Sequence, residues 1–198
     1  MIILCVLRLY SRHKKITQMK KKLLAAFAVS ALLGLSSCDK AEKLLFKPFE
    51  SPLSFDITIP VVSSTSTETS MGSTTISYNV DSLVKAKTNN AVDGSIVKSM
   101  YIQQIAITIT DPVDNNNSLS NFNYVKMNVS QGGTPYVFGP FNVTPGAMIQ
   151  DSYSVSNSPN IRPFFNGSAV SFSLVGQANK VTTHEMHARV SATIKFDK

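Results

Sequence analysis

The chain has 198 residues, with 19 lysines and arginines, 12 aspartates and glutamates, and a net charge of +7. Seven of the basic residues and none of the acidic ones precede Cys38, so the chain from Cys38 onward has no net charge. A neutral domain lacks the basic surface expected of a nucleic-acid-binding protein, and we exclude that class of partner.

The segment that ends at Cys38 has the three parts of a bacterial secretory signal. Lys20–Lys22 are positively charged, and Leu23–Leu35 form an uncharged apolar run. Ser36 and Ser37 then provide small residues before Cys38. The apolar run is shorter than the roughly 20 residues that span a bilayer, so we interpret it as a cleaved signal.

Leu35-Ser36-Ser37-Cys38 resembles the lipobox of bacterial lipoproteins. The resemblance implies that Cys38 carries a thioether-linked diacylglycerol and, after cleavage, becomes the acylated first residue. Two or three acyl chains give stable membrane attachment, whereas one chain binds only marginally. Cys5 is the only other cysteine, which leaves no disulfide, Cys-based metal site or catalytic thiol after processing.

These observations divide the chain into four predicted segments. Met1–Gln18 are an over-extended start or a long n-region. Met19–Ser37 are the signal peptide, Cys38–Glu50 a lipidated tether, and Ser51–Lys198 one folded domain. A chain of about 160 residues is long enough to bury most of its unfolded surface in one core.

The first half of the domain predicts two strands and a helix. Leu53–Val61 alternate apolar and polar residues, the pattern of a half-buried strand with Val61 facing inward. The Ser/Thr-rich residues 63–73 predict a loop or a weak edge strand, and residues 74–80 a further strand. Asp81 is predicted to cap a helix of about two turns over residues 82–87.

The second half predicts more strands, separated by turns rich in Asn, Asp, Gly and Pro. Ile105, Ile107 and Ile109 mark the strongest strand. The predicted strands are residues 100–110, 122–130, 136–143 with a break at Gly139-Pro140, 151–156, 169–177 and 188–196. About seven or eight short strands with one short helix predict an all-β, antiparallel β-sandwich, immunoglobulin-like in topology.

The clearest candidate for chemistry is Thr183-His184-Glu185-Met186-His187. A zinc-protease motif places its histidines four apart on a helix, whereas His184 and His187 are three apart and lead into a strand. Residues three apart on a strand face opposite sides, so a polar hairpin is the better interpretation. No serine lies in a Gly-x-Ser-x-Gly context. We predict no metal site, no cofactor and no catalytic residue.

Tyr136, Phe138 and Phe164 are candidate binding residues, because aromatic side chains on sandwich loops can stack on sugars or anchor partners. The alternative is that these rings plug the end of the sandwich.

As a whole the chain resembles the small envelope lipoproteins of Bacteroidetes-type bacteria, a family of unknown function. The resemblance rests on the lipobox, a Ser/Thr/Asn-rich β domain, the strand Ile102–Thr110 and the late Thr182-Thr183-His184. It implies a protein of the cell envelope, attached to the outer membrane by its lipid and facing either the periplasm or the cell surface.

Four functions remain open at this point, the last of them a hydrolase. The first is a non-catalytic module that binds an envelope protein or supports an assembly. The second is a glycan-binding or fimbrillin-like adhesion subunit, and the third is a carrier of an apolar ligand. A wide apolar cavity between the sheets would favour the carrier. A groove lined by Tyr136, Phe138 or Phe164 would favour glycan, and a detachable donor strand would favour the adhesion subunit.

Overall fold

The computed structural model describes residues 45–167 and 169–198, of which Phe46–Lys198 form one compact unit. The signal segment and Cys38 lie outside the described residues. Within them, no helix combines the length and the hydropathy needed to cross a bilayer.

The unit contains eight strands, one α-helix and three 3-10 turns. The strands are β1 (Phe49–Ile59), β2 (Glu68–Ile76), β3 (Ser99–Asp111), β4 (Phe122–Ser130), β5 (Tyr136–Asn142), β6 (Gln150–Ser154), β7 (Val170–Ala178) and β8 (Met186–Asp197). Helix α1 is Val80–Lys87, and the 3-10 turns are Gly94–Ile96, Leu119–Asn121 and Arg162–Phe165. Strand β1 begins two residues before the predicted domain start.

The strands form two antiparallel four-stranded sheets. The first sheet has the order β1-β8-β3-β6, and the second has the order β2-β7-β4-β5. Every connection crosses from one sheet to the other except the β4–β5 hairpin. This is the strand order of a jelly roll, a sandwich of eight strands built from two Greek keys.

The predicted all-β antiparallel sandwich is confirmed, but its immunoglobulin-like topology is corrected to a jelly roll. In an immunoglobulin domain the first and last strands lie in different sheets. Here β1 and β8 are neighbours, paired from Phe49↔Phe196 to Ile59↔Met186. Alternation identifies strands, but the strand order depends on which loops cross the sandwich.

The core lies between the sheets and follows the predicted alternation. Ile105, Ile107 and Ile109 on β3 are all buried, which confirms their predicted inward orientation. Across the sandwich, the rings of Phe55 on β1 and Phe172 on β7 lie with centroids 4.6 Å apart. Each fully buried side chain of this size contributes about 1.5–3 kcal/mol through the hydrophobic effect.

Three local predictions are wrong. The strand predicted over residues 74–80 ends at Ile76, and Val80 begins helix α1 instead. The helix cap is Asn79, whose Oδ1 accepts a hydrogen bond from the Ser82 amide at 2.9 Å, so Asp81 lies in the first turn instead. Val61 is exposed, and its neighbour Val62 is buried. Strand β1 ends at Ile59, and Pro60 interrupts the alternation that would have carried Val61 inward.

The residues 63–73, predicted as a loop or a weak edge strand, divide between the two. Residues 63–67 form a loop, and edge strand β2 begins at Glu68. Gly72 has a φ of +98°, and a Cβ there would lie 2.2 Å from the Thr58 carbonyl oxygen. Glycine therefore lets β2 pass close to β1 at the bulge between Ser70 and Ser73.

Candidate functional site

An open groove runs along one side of the sandwich between β5 and β6, each an edge strand of its sheet. The β5–β6 groove has a volume of about 530 Å³ and is lined by residues 136–141 and 154–157 and by Pro159. None of these lining residues is charged. One wall is aromatic, and the other carries Ser154, Ser156 and Asn157.

The three predicted aromatic residues come together at one end of this groove. The ring of Tyr136 lies 6.1 Å from that of Phe138 and 6.3 Å, edge-on, from that of Phe164. Tyr136 is 44% exposed, whereas Phe138 is buried and Phe164 is half-buried. Phe138 and Phe164 therefore support Tyr136, which is the one of the three that offers a broad face to solvent.

A bulge in β5 turns two aromatic residues toward the groove. Phe138 and Phe141 are three residues apart, a spacing that places side chains on opposite faces of a regular strand. They pair with Met127 and Val125, so Gly139-Pro140 adds a residue between them. Gly139 has a φ of +101°, a conformation that side-chain-bearing residues rarely adopt.

One residue of the groove lining, Phe141, stacks on Tyr153 of β6. The rings of Phe141 and Tyr153 lie 5.1 Å apart and nearly parallel. Burial, followed by the negative charge of Asp151, raises the pKa of the Tyr153 hydroxyl well above its usual value. The Asp151 carboxylate accepts hydrogen bonds from the amide and hydroxyl of Thr144, which fixes the loop between β5 and β6.

A second cavity opens at the end of the sandwich where β2 ends and β3 and β7 begin. This end pocket has a volume of about 670 Å³. It is lined by residues 77–81, 93–95 and 165–167 and by Arg162. Its lining is charged, in contrast to that of the groove.

Two aspartates form one side of the end pocket. Asp81 lies 2.7 Å from the Lys85 ammonium and accepts a hydrogen bond from the Gly94 amide at 2.9 Å. The Lys85 hydrogen bond, followed by that of Gly94, lowers the Asp81 pKa. Asp93 accepts a hydrogen bond from the Ser95 amide at 2.8 Å, and its contacts with Ser95 lower its pKa as well.

Arg162 forms the other side, in the 3-10 turn Arg162–Phe165. Its Nε donates to the Val97 carbonyl at 3.3 Å, and Nη1 donates to the Phe165 carbonyl at 3.2 Å and to the Asn166 side chain. Among the described residues, Arg162 forms no ion pair. Its guanidinium is thus held in place by neutral groups.

One asparagine fixes this turn against the start of β3. The Asn160 Oδ1 accepts hydrogen bonds from the amides of Met100 and Arg162, each at 3.0 Å. The Ile161 amide donates to the Met100 carbonyl at 2.9 Å. Pro163 near the start of the turn has its φ preset for a helical conformation. These contacts position Phe164 beside the groove and Arg162 beside the end pocket.

The residues of the end pocket were missed by sequence reasoning. Asp81, Asp93 and Arg162 come from three segments, and no motif joins them. The only local signals were the turn-forming pair Asp93-Gly94 and the position of Arg162 between two prolines. Neither signal shows that the segments meet.

The histidines at the opposite end of the sandwich organise a loop. His184 lies in the turn before β8, where the buried Asn117 accepts its amide hydrogen at 2.9 Å. His187 lies on the outer face of β8, and both histidines border a depression of about 430 Å³ with Asp111 and Asp114. In residues 45–167 and 169–198, no three His, Cys, Asp or Glu residues are placed to hold a metal ion.

The fold defines the described chain as a β-sandwich module. No family model and no curated protein matches the sequence. Among solved structures, the chain is similar to the cyanophage Pam1 capsid asymmetric unit, with 13% identity, a TM-score of 0.33, and coverage of 77% of this chain and 88% of that one.

Two further structures show the same range of similarity. The VP2 subviral particle of infectious bursal disease virus has 9% identity and a TM-score of 0.38, covering 75% of this chain and 32% of that one. FLHE has 6% identity and a TM-score of 0.31, covering 77% and 99%. At these values the similarity concerns the β-sandwich alone and indicates no activity.

Proposed function

We propose that the protein is a lipid-anchored envelope protein whose jelly-roll domain is a non-catalytic binding module, with a neutral glycan as the ligand of the β5–β6 groove. One observation supports this function above the others. Tyr136 presents a supported aromatic face beside a wall of uncharged polar groups.

The chemistry of the groove matches that of an uncharged sugar. The apolar C–H face of a pyranose ring packs on an aromatic ring, and its hydroxyls need neutral donors and acceptors, which Ser154, Ser156 and Asn157 provide. A volume of about 530 Å³ lies within the usual range of small-ligand sites. Because Phe138 and Phe164 already hold Tyr136, little side-chain entropy is lost on binding.

Binding to an array of neutral glycans, followed by calorimetry with the strongest ligand, tests this assignment. Tyr136→Ala should weaken binding about tenfold, which corresponds to about 1.4 kcal/mol and to the scale of an aromatic contact. Tyr101→Ala is the matched control, because Tyr101 is a half-buried tyrosine on β3 that does not line the groove. Equal affinity in the two variants, or no glycan ligand at all, would contradict the proposal.

The second candidate is a protein partner, as in an envelope assembly or an adhesion subunit. Val137, beside Tyr136 on the edge strand β5, is 50% exposed and adds an exposed apolar side chain to the groove wall. Val137→Ser should therefore weaken association with a protein partner more than it weakens glycan binding. A larger loss of glycan affinity than of protein association would remove this candidate.

A carrier of an apolar ligand and a donor-strand mechanism of adhesion have weaker support. A carrier needs a wide apolar cavity, whereas the two sheets are in direct contact through the rings of Phe55 and Phe172. A donor-strand mechanism needs a strand that can leave the sandwich. The C-terminal strand β8 is central in its sheet, hydrogen-bonded to both β1 and β3, so its departure would split that sheet.

The lipid anchor rests on the lipobox and on Cys38. We expect Cys38→Ala to move the protein from the membrane fraction to the soluble fraction. Cys5→Ala is the matched control and should leave the distribution unchanged. A Cys38→Ala variant that stays fully membrane-bound would disprove the anchor. Protease treatment of intact cells then distinguishes a surface-exposed domain from a periplasmic one.

A further inference from the structure

We propose that the end pocket is a second binding site, specific for a small zwitterion that carries a carboxylate and an ammonium group, as a free amino acid does. The proposal is independent of the glycan ligand of the β5–β6 groove. It rests on how the charges of the end pocket are arranged and on what each charge already contacts.

Within the described residues, the Arg162 guanidinium is held in place without a charged partner. The two arginines of the described chain differ: Arg189 is exposed and binds both carboxylate oxygens of Asp56, at 2.9 and 3.3 Å. Arg162 is half-buried and bonded only to neutral oxygens through Nε and Nη1. Its Nη2 has no hydrogen-bond partner among the described residues. A guanidinium held in this way is preorganised to donate to a carboxylate.

The acidic side of the end pocket is formed by two aspartates. Asp81 and Asp93 both line it, and neither forms an ion pair with Arg162 in the part of the chain that the structure describes. Asp81 is already engaged by Lys85 and the Gly94 amide. Asp93 has no ion pair there, and one of its oxygens accepts from the Ser95 amide. Asp93 is therefore the carboxylate available to a ligand ammonium.

The opposite charges of the end pocket favour a ligand that carries both charges. A dianion such as phosphate would be repelled by Asp81 and Asp93, and a simple cation would be repelled by Arg162. A zwitterion places one charge opposite each side of the cavity. The same cavity is also lined by Tyr78 and Phe165, whose rings meet edge-on at 5.4 Å. These rings can accept the aliphatic part of an amino acid.

Calorimetric titration of the full chain with free α-amino acids tests the proposal. Each amino acid is compared with its N-acetyl and its amide derivative, which remove the ammonium and the carboxylate charge respectively. We expect at least one amino acid to bind, and each derivative to bind at least tenfold more weakly. Inorganic phosphate is the competing probe and should bind more weakly than that amino acid.

Variants separate a ligand contact from a structural role. Asp93→Asn should abolish the preference for the free amino acid over its N-acetyl derivative. Arg162→Gln should abolish the preference over the amide, whereas Arg189→Gln, the matched control, should change neither. Because Arg162 also stabilises its turn, Asp93→Asn remains decisive if Arg162→Gln does not fold.

Several results would overturn the site. These are no binding of any amino acid, equal binding of the parent and both derivatives, or phosphate binding more tightly than the amino acids. A Tyr136→Ala variant should bind amino acids normally. A result that disproves glycan binding at the groove therefore does not disprove amino-acid binding at the end pocket, and the reverse also holds.

Discussion

The β5–β6 groove and the end pocket lie on two sides of one 3-10 turn, but they differ in how the chain builds them. The groove comes from two strand edges and the residues directly after them, and its lining is uncharged. The end pocket collects three segments distant in sequence, and its lining carries aspartates and an arginine. Strand-built surfaces thus follow from local patterns, whereas loop-built ones depend on tertiary contacts.

Two consecutive phenylalanines separate the two cavities. Phe164 contacts Tyr136 at the groove, and Phe165 contacts Tyr78 at the end pocket. A 3-10 helix has three residues per turn, so neighbouring side chains point about 120° apart. A single turn can therefore support Tyr136 at the groove and line part of the end pocket.

The largest expected difference concerns the stability contributed by these two phenylalanines. Phe165 is 4% exposed, and Phe165→Ala should lower the free energy of unfolding by about 3–5 kcal/mol, as for other buried aromatics. Phe164 is only half-buried, so Phe164→Ala should cost about half as much. Urea unfolding of the two variants measures both values. Equal losses would contradict the asymmetry of the turn.

A smaller expected loss of stability concerns Gly139, the glycine at the β5 bulge beside the groove. Gly139→Ala forces a side chain into a φ of +101° and brings a Cβ within 3.0 Å of the Val125 carbonyl oxygen. We expect a loss of about 1–3 kcal/mol in unfolding free energy and weaker glycan binding, with amino-acid binding unchanged. Gly133→Ala is the control, because a Cβ there meets nothing within 4 Å. A neutral Gly139→Ala would show that the bulge does not need glycine.

The smallest expected effect is a pH dependence of the folding stability, which comes from Asp81 in the end pocket. The Lys85 and Gly94 hydrogen bonds lower the Asp81 pKa in the folded state. Asp81 therefore stabilises the fold above its unfolded pKa of about 3.9, and this contribution is lost as the pH falls through the lower folded value. Asp81→Asn should flatten the dependence of the urea midpoint on pH below about pH 4. An unchanged slope would mean that these hydrogen bonds do not persist in solution.

The sequence predicted the regular parts of the fold closely. Strand β4 has the predicted bounds, and β3 differs by one residue at each end, because both have long alternation with no interruption. Prediction failed where one residue breaks the pattern. Val62 is buried instead of Val61, because Pro60 interrupts the alternation. Asn79 caps the helix instead of Asp81.

The candidate site was predictable only in part. Tyr136, Phe138 and Phe164 were expected either to bind a ligand or to plug the sandwich, and the structure gives Phe138 and Phe164 supporting positions with Tyr136 exposed. Phe141 was harder to place, because only the register shift at the Gly139-Pro140 bulge turns it toward the groove. Arg162 and Asp93 could not be paired without knowing that the loops after β6 and before β3 meet.

The pairing of β1 with β8 has a consequence for the order of the chain. Phe49 stacks on Phe196 with ring centroids 4.8 Å apart, so the first and last strands of the sandwich meet at one edge of the core. A short linker could join those strands, and new termini could be opened at Gly132-Gly133, where a Cβ added to either residue would meet nothing within 4 Å. The jelly roll should thus tolerate circular permutation, because strand pairing rather than the position of the chain ends defines its sheets.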